Sequence, residues 1–212
     1  LFVLYFNKLV LAYLFDEHRE AFTNGLNAEK YIDAALGLIL VPLFYFYDSL
    51  TRLALTNEIE SQEGESLFNK VESNQEKMQK WADSAPANYQ HKFYLVEAER
   101  HRVLGENGLA REEYDRAIEL AKDNEYLNDE ALANELAAKF YLAKSKTKIA
   151  KIYMQEARYC YLNWGAEGKV KYLEQNYAQL LVVSQPSASQ NTKITQIATI
   201  SSSVDILDLA TV

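Results

Sequence analysis

The chain has 212 residues, 49% of them apolar, 25% charged and 12% aromatic, with only seven glycines and three prolines. It is neither a disordered nor a fibrous composition, and it is long enough for one large domain or two small ones with real cores. So few turn-formers speak against an all-β sandwich or barrel and against a Gly-rich phosphate loop, and 22 Lys and Arg against 30 Asp and Glu, a formal charge of -8, speak against a nucleic-acid partner.

All-α is therefore the expected fold class, and apolar periodicity predicts helices in chain order. They run Phe2 to Leu14, Glu17 to Ala35, Pro42 to Asn57, Gly64 to Ala82, Ala87 to Leu104, Gly108 to Lys122, Asn128 to Ser145, Thr147 to Asn163 and Ala166 to Tyr177. Pro42 and Pro86 suit first helical turns, where a missing amide donor costs little. Asn128, ahead of Asp129 and Glu130, is the expected N-cap of its helix. Gly37, Gly105 and Gly165 stand where helices must stop.

Two apolar runs raise the question of a membrane. Leu1 to Phe6 meets Asn7 and Lys8 too soon to span a bilayer or to serve as a signal peptide, and Leu36 to Tyr47 is broken by Pro42, whereas a span needs roughly 20 apolar residues. Burial on several sides of a helical domain is the expectation for Leu43 to Tyr47. The opening at Leu1 and the ending at Val212, in mid-pattern, read as an excised piece of a longer chain. On excision, an uncovered face carrying Phe2, Tyr5 and Phe6 is expected to favour a homodimer.

From Ser184 to Ser203 the composition turns to Ser, Thr, Gln, Asn and Ala with Pro186, the signature of a linker. The expected organisation is a helical repeat domain over 1–183 followed by a polar linker over 184–212.

The helices pair, and the pairs repeat. Ala110, Tyr114 and Ala117 recur forty residues on as Ala150, Met154 and Ala157, with a fainter echo at Ala21, Gly25 and Ala28. Offsets of four and three put these residues on one helical face, where small side chains allow close approach of a neighbouring helix. That is the logic of stacked helical hairpins.

The Ala-x3-Tyr-x2-Ala pattern resembles the second helix of tetratricopeptide repeats, although a spacing near forty exceeds that family's usual period and only Ala138 and Tyr141 match its first helix. A second resemblance rests on Tyr141-Leu142-Ala143-Lys144, on Ala157-Arg158-Tyr159-Cys160-Tyr161-x2-Trp164-Gly165-Ala166, on Lys169-Val170-x2-Leu173-Glu174 and on Phe46-Tyr47-Asp48-Ser49-Leu50-Thr51. These stretches look like the helical region of cyanobacterial-type multidomain signalling kinases, in which a serine/threonine kinase domain and a STAND-type AAA ATPase come first and a GAF sensor and a histidine kinase follow. The resemblance implies a right-handed tetratricopeptide-like solenoid in the cytoplasm, whose partners are the adjoining ATPase and sensor domains or a peptide, within a parent that is an ATP-dependent kinase.

No kinase, ATPase or phosphorelay motif stands in the chain itself, so it is expected not to be an enzyme and to hold no cofactor or metal. His18 beside Asp16 and Glu17 has the form of a phosphoacceptor site, but such a match is common at solvated helix starts. His91 and His101 lack local zinc-ligand spacing and are expected to be exposed or hydrogen-bonded. Cys160 is expected to be buried and inert: Arg158 lies about 200 degrees round the helix. The cluster Tyr159, Tyr161, Trp164 and Tyr172 is expected to cap the last repeat by burial.

If first helices line a concave face, Glu99, Arg102, Glu135 and Lys139 are the expected partner contacts. The plainer reading of Glu135 and Lys139 is a surface i,i+4 pair. The function expected is a non-catalytic module for protein interaction and signal transmission; the alternative is a solenoid that senses a peptide or small molecule and regulates an adjacent ATPase.

Overall fold

The computed structural model describes residues 1–35, 37–56 and 61–181. The described residues form α1 (Phe2–Leu14), α2 (His18–Glu29), a 3-10 turn (Asp33–Ala35), α3 (Leu40–Leu55), α4 (Ser61–Ser84), α5 (Pro86–Leu104), α6 (Asn107–Asp123), α7 (Leu127–Ala143), α8 (Thr147–Trp164), α9 (Glu167–Asn176) and the single turn α10 (Ala178–Leu181). No strand occurs among them, so the described residues are all-helical, as expected. The chain divides into two units, Leu1–Val182 and Val183–Val212; the second, with the expected linker from 184, lies outside the described residues.

Most helix ends fall within three residues of expectation, but two readings change. The helix expected from Glu17 to Ala35 stops at Glu29, and the chain tightens there into short i to i+3 bonds, Tyr31 N–H to Ala28 O at 2.9 Å and Ala35 N–H to Ile32 O at 2.9 Å. That tightening carries Ala35 into the core and leaves Tyr31 outward. Asn128 is not an N-cap. The preceding corner starts α7 at Leu127, and the Asn128 amide donates to Asp129 Oδ1 at 2.9 Å.

The corners between helices repeat in backbone geometry as well as in sequence. Asp16, Gly105, Glu125, Ser145 and Gly165 all take positive φ, from 57 to 85°. The last four fall every twenty residues, half the forty-residue repeat. In each corner the N–H of the next residue reaches back five positions: Glu17 to Ala12 O, Glu106 to His101 O, Tyr126 to Ala121 O, Lys146 to Tyr141 O and Ala166 to Tyr161 O, at 2.8–2.9 Å. This is the left-handed C-terminal cap that satisfies otherwise orphaned carbonyls. The following residue, near φ -81 to -93° and ψ 55 to 70°, then opens the next helix.

Short corners of one kind force α1 against α2, α5 against α6 and α7 against α8, while α1, α3, α5 and α7 also touch in sequence as one row. The repeated face, small at its Ala and Gly positions, makes this possible. Ala110, Tyr114, Ala117, Ala150, Met154, Ala157, Ala21 and Ala28 are at most 1% exposed, and a Cβ on Gly25 would sit 3.3 Å from Asp48 Oδ1. In α4 the same offsets carry Leu67, Val71 and Asn74, also buried. α3 is enclosed as expected: Phe44, Phe46, Leu50 and Leu53 are fully buried, and α3 meets α1, α2, α4 and α5.

The ends depart from expectation. Phe2 and Phe6 are buried against α3, where Phe2 meets the Phe44 ring at 5.8 Å. The exposed side of α1 instead carries Val3, Leu4 and Leu11. Of the expected aromatic cap, only Tyr161 is fully buried; Tyr172 packs edge-on against Phe15, whereas Tyr159 is 60% and Trp164 49% exposed. Helical period sets Tyr159 about 160° round α8 from Tyr161, which shares the inner face with Ala157 and Met154; Trp164 keeps that inner period but is the last residue of the helix.

Candidate functional site

The row of odd-numbered helices carries a buried polar seam. On α5, Glu99 Oε2 accepts Arg102 Nε at 2.8 Å and Nη2 at 2.7 Å, and Oε1 accepts the Tyr114 hydroxyl of α6. One repeat on, Glu135 of α7 accepts Lys139 Nζ at 2.8 Å and Lys169 Nζ at 2.9 Å on Oε1, and the Tyr161 hydroxyl of α8 at 2.9 Å on Oε2. Each buried acid is thus met by cations from the row and by a phenol from the second helix of its own hairpin. A carboxylate this deep needs that much company, because desolvation of an unpaired charge costs several kcal/mol.

The α1–α2 corner closes onto the same seam. Lys139 Nζ donates to both carboxylate oxygens of Asp16, at 2.7 and 3.0 Å, and the Tyr172 hydroxyl donates to Oδ2 at 3.0 Å. Lys169 Nζ donates to Leu14 O, the last carbonyl of α1. His18 Nε2 lies 3.5 Å from Asp16 Oδ1. The first hairpin is therefore fastened to α7 and α9.

Between these groups lies a cavity of about 600 Å³, lined by Tyr13, Asp16, Glu99, Arg102, Lys139 and Tyr177 among others, with Ala54, Leu136, Phe140 and Ala143 as its apolar wall and Lys144 at its edge. Three of the four expected contact residues, Glu99, Arg102 and Lys139, face it together. Glu135 does not line it. At 1% exposure it is a buried anchor behind Lys139, which corrects the reading of this couple as a surface pair. Asp16, Tyr13 and Lys169 complete the site from far-off parts of the chain; no local spacing marks them.

The protonation states follow from burial and neighbours. Burial alone would raise Asp16, but the His18 hydrogen bond and the Lys139 charge outweigh it and hold its carboxyl far below the usual range. Glu135 is likewise lowered: Lys139 and Lys169 overcome its desolvation. For Lys139 desolvation loses to Glu135 and Asp16, and its pKa rises; for Lys169 burial wins and lowers it. Burial, then the neighbouring Glu99, raises Tyr13 and Tyr114; burial, then Glu135, raises Tyr161. The site therefore presents Asp16 and Glu135 ionised, its phenols protonated, and Lys139 and Arg102 as cations. That is equipment for binding and fastening, with Asp16 and Glu135 held too low to exchange protons near neutrality.

The remaining expected groups fall elsewhere. His91 is buried and bonds Asp129 Oδ2 across the repeat at 2.9 Å, and His101 Nδ1 meets Glu106 Oε2 at 2.6 Å, both hydrogen-bonded as expected. Cys160 is a buried free thiol. Among the described residues no group of three metal-ligating side chains assembles, and no helix is long and apolar enough to cross a membrane.

Comparison with known proteins gives one informative relation. Over 62 residues the chain is 42% identical to hybrid signal transduction histidine kinase G of Dictyostelium discoideum, a match covering 29% of this chain and 2% of that much longer protein. No family model matches the chain, and no solved structure matches it. Part of the chain is thus similar to a segment of a signal-transduction histidine kinase.

Proposed function

We propose that the chain is a non-catalytic, tetratricopeptide-like solenoid that relays conformational state between neighbouring domains of a large cytoplasmic signalling kinase. The partial similarity to a hybrid histidine kinase supports the setting. The observation that carries the relay is the fastening of the first hairpin to α7 and α9 through Asp16, Lys139 and Lys169. Stacked hairpins mostly touch their neighbours, so bending spreads along the row; a tie between early and late hairpins makes displacement of one felt at the other. Replacing residues 1–181 in the full-length protein by a flexible linker of equal span uncouples kinase output from the nucleotide state of the adjoining ATPase. Unchanged coupling would refute the relay.

The second reading is a sensor solenoid whose ligand occupies the inner face and regulates the adjoining ATPase. It is favoured by the cavity between the fastening residues, because an occupant there would touch both halves of the tie.

A further inference from the structure

We infer that the cavity enclosed by the α1–α2 corner, α5 and α7 is a binding site for a small organic carboxylate. This deepens the sensor reading and rests on it, but direct binding to the chain is measured apart from any kinase output.

The two carboxylates on the cavity wall are saturated: Asp16 accepts Lys139 and Tyr172, and Glu99 accepts Arg102 and Tyr114. Neither needs a cationic ligand. On the cavity wall Tyr13, Arg102 and Lys144 each keep a donor unspent. Tyr13 is only 4% exposed, lines the cavity, and its hydroxyl makes no hydrogen bond. A hydroxyl that lines a cavity without a protein partner keeps its proton for an acceptor in the space before it. Arg102 uses Nε and Nη2 on Glu99 and Leu53 O but leaves Nη1 unspent. Lys144 at the edge has no ion pair.

Surplus donors beside saturated acids call for an acceptor, and three cations against two carboxylates on the wall favour an anion although the whole chain is acidic. Guanidinium, ammonium and phenol O–H are the donors that recognise a carboxylate. The apolar wall of Ala54, Leu136, Phe140 and Ala143 fits a carbon skeleton, which inorganic anions lack. The volume falls within the usual range for small-molecule sites.

The test is calorimetric titration of the 212-residue chain with succinate, citrate and phenylacetate, and with inorganic phosphate and methylammonium as comparators. At least one carboxylate is expected to bind with a Kd below about 1 mM, at least tenfold tighter than either comparator. Tyr13→Phe, which keeps the ring, and Lys144→Gln, which changes an exposed side chain, are each expected to weaken it at least fivefold without altering helicity. Absence of binding by all three carboxylates, equal binding of phosphate, tighter binding of methylammonium, or carboxylate binding untouched by both substitutions overturns the assignment. None of these results bears on the relay, which stands or falls with the linker replacement in the full-length protein.

Discussion

Lys139 and Asp16 stand 123 residues apart in sequence yet meet in a two-oxygen ion pair, which makes a one-residue corner the latch between the first hairpin and α7. Asp16 sits at φ 61°, where Asn and Asp are tolerated better than most other residues with a Cβ. Asp16→Asn therefore removes charge without adding backbone strain. Because the pair is about a quarter exposed on both sides, a loss of only about 1–2 kcal/mol in urea unfolding is expected. Asp16→Asn combined with Lys139→Met should cost less than the sum of the single losses. Strict additivity would show that the two side chains are neighbours without being a latch.

The hairpin interfaces predict their own intolerance of bulk. Ala117 and Ala157 are at most 1% exposed on the faces that α6 and α8 turn inward. Ala117→Leu and Ala157→Leu each insert three carbons into closed packing, for an expected loss of about 1–3 kcal/mol. Tyr159→Ser, on the exposed side of α8, should fall within about 0.5 kcal/mol of the parent. Thermal unfolding of the three variants checks the contrast, and equal effects would mean that the shared Ala face is not the close-packed one.

The contrast between these positions also explains what was legible in sequence. Ala110, Tyr114 and Ala117 and their echo announce a buried face because small residues at helical offsets have few other uses. The equivalent face of α4 hides behind Leu67, Val71 and Asn74, which keep the offsets but not the residue types. Gly105 and Gly165 mark corners; Asp16, Glu125 and Ser145 take the same backbone without the residue that advertises it. At the site, Glu99 and Arg102 on α5 and Lys139 on α7 follow from helix phase in successive repeats. Tyr13, Asp16 and Lys169 belong to other hairpins, and what joins them is three-dimensional packing, which leaves no trace in spacing.

Those corners yield a pair of opposite substitutions. Ser145 holds φ 57° with a Cβ, and Gly105 holds φ 78° without one. Ser145→Gly should stabilise by a few tenths to about 1 kcal/mol, since relief of the left-handed penalty exceeds the entropy gained by the unfolded chain. Gly105→Ala should destabilise by about 1 kcal/mol, though nothing lies within 4 Å of the new Cβ. Chemical denaturation of both variants measures the difference, and a Gly105→Ala protein as stable as its parent contradicts the shared corner geometry.

His91 gives the fold a pH dependence of known sign. It is 2% exposed, faces Asp129 and Lys92 at 2.9 Å and stacks on Tyr126. Burial, aided by the Lys92 charge and opposed by Asp129, lowers its pKa. The folded state therefore favours neutral imidazole. The unfolded chain takes up the proton first, near pH 6.5, so this contribution is complete above that pH and is lost as pH falls through the lowered folded value. Asp129, itself lowered by His91 and Lys92 against its burial, adds a second loss below about pH 4. Urea midpoints from pH 8 to 5 should decline in the parent and flatten in His91→Gln. A parent profile that rises on acidification, or an identical slope in the variant, would remove His91 from this role.

Cys160 supplies a probe of opening at the last hairpin. It is 2% exposed on α8, and burial, reinforced by the charge of and hydrogen bond to Glu130, pushes its thiol up to about 12. At pH 8 almost no thiolate exists in the folded chain, and the thiolate is the nucleophile. An aromatic disulfide reagent should therefore modify the native protein at least a hundredfold more slowly than the urea-unfolded chain, at a rate governed by local opening of α8. Ala157→Leu, which strains the same interface, should raise the native rate in proportion to its loss of stability. Rapid labelling of the native protein would place the thiol at the surface and the inner face of α8 elsewhere.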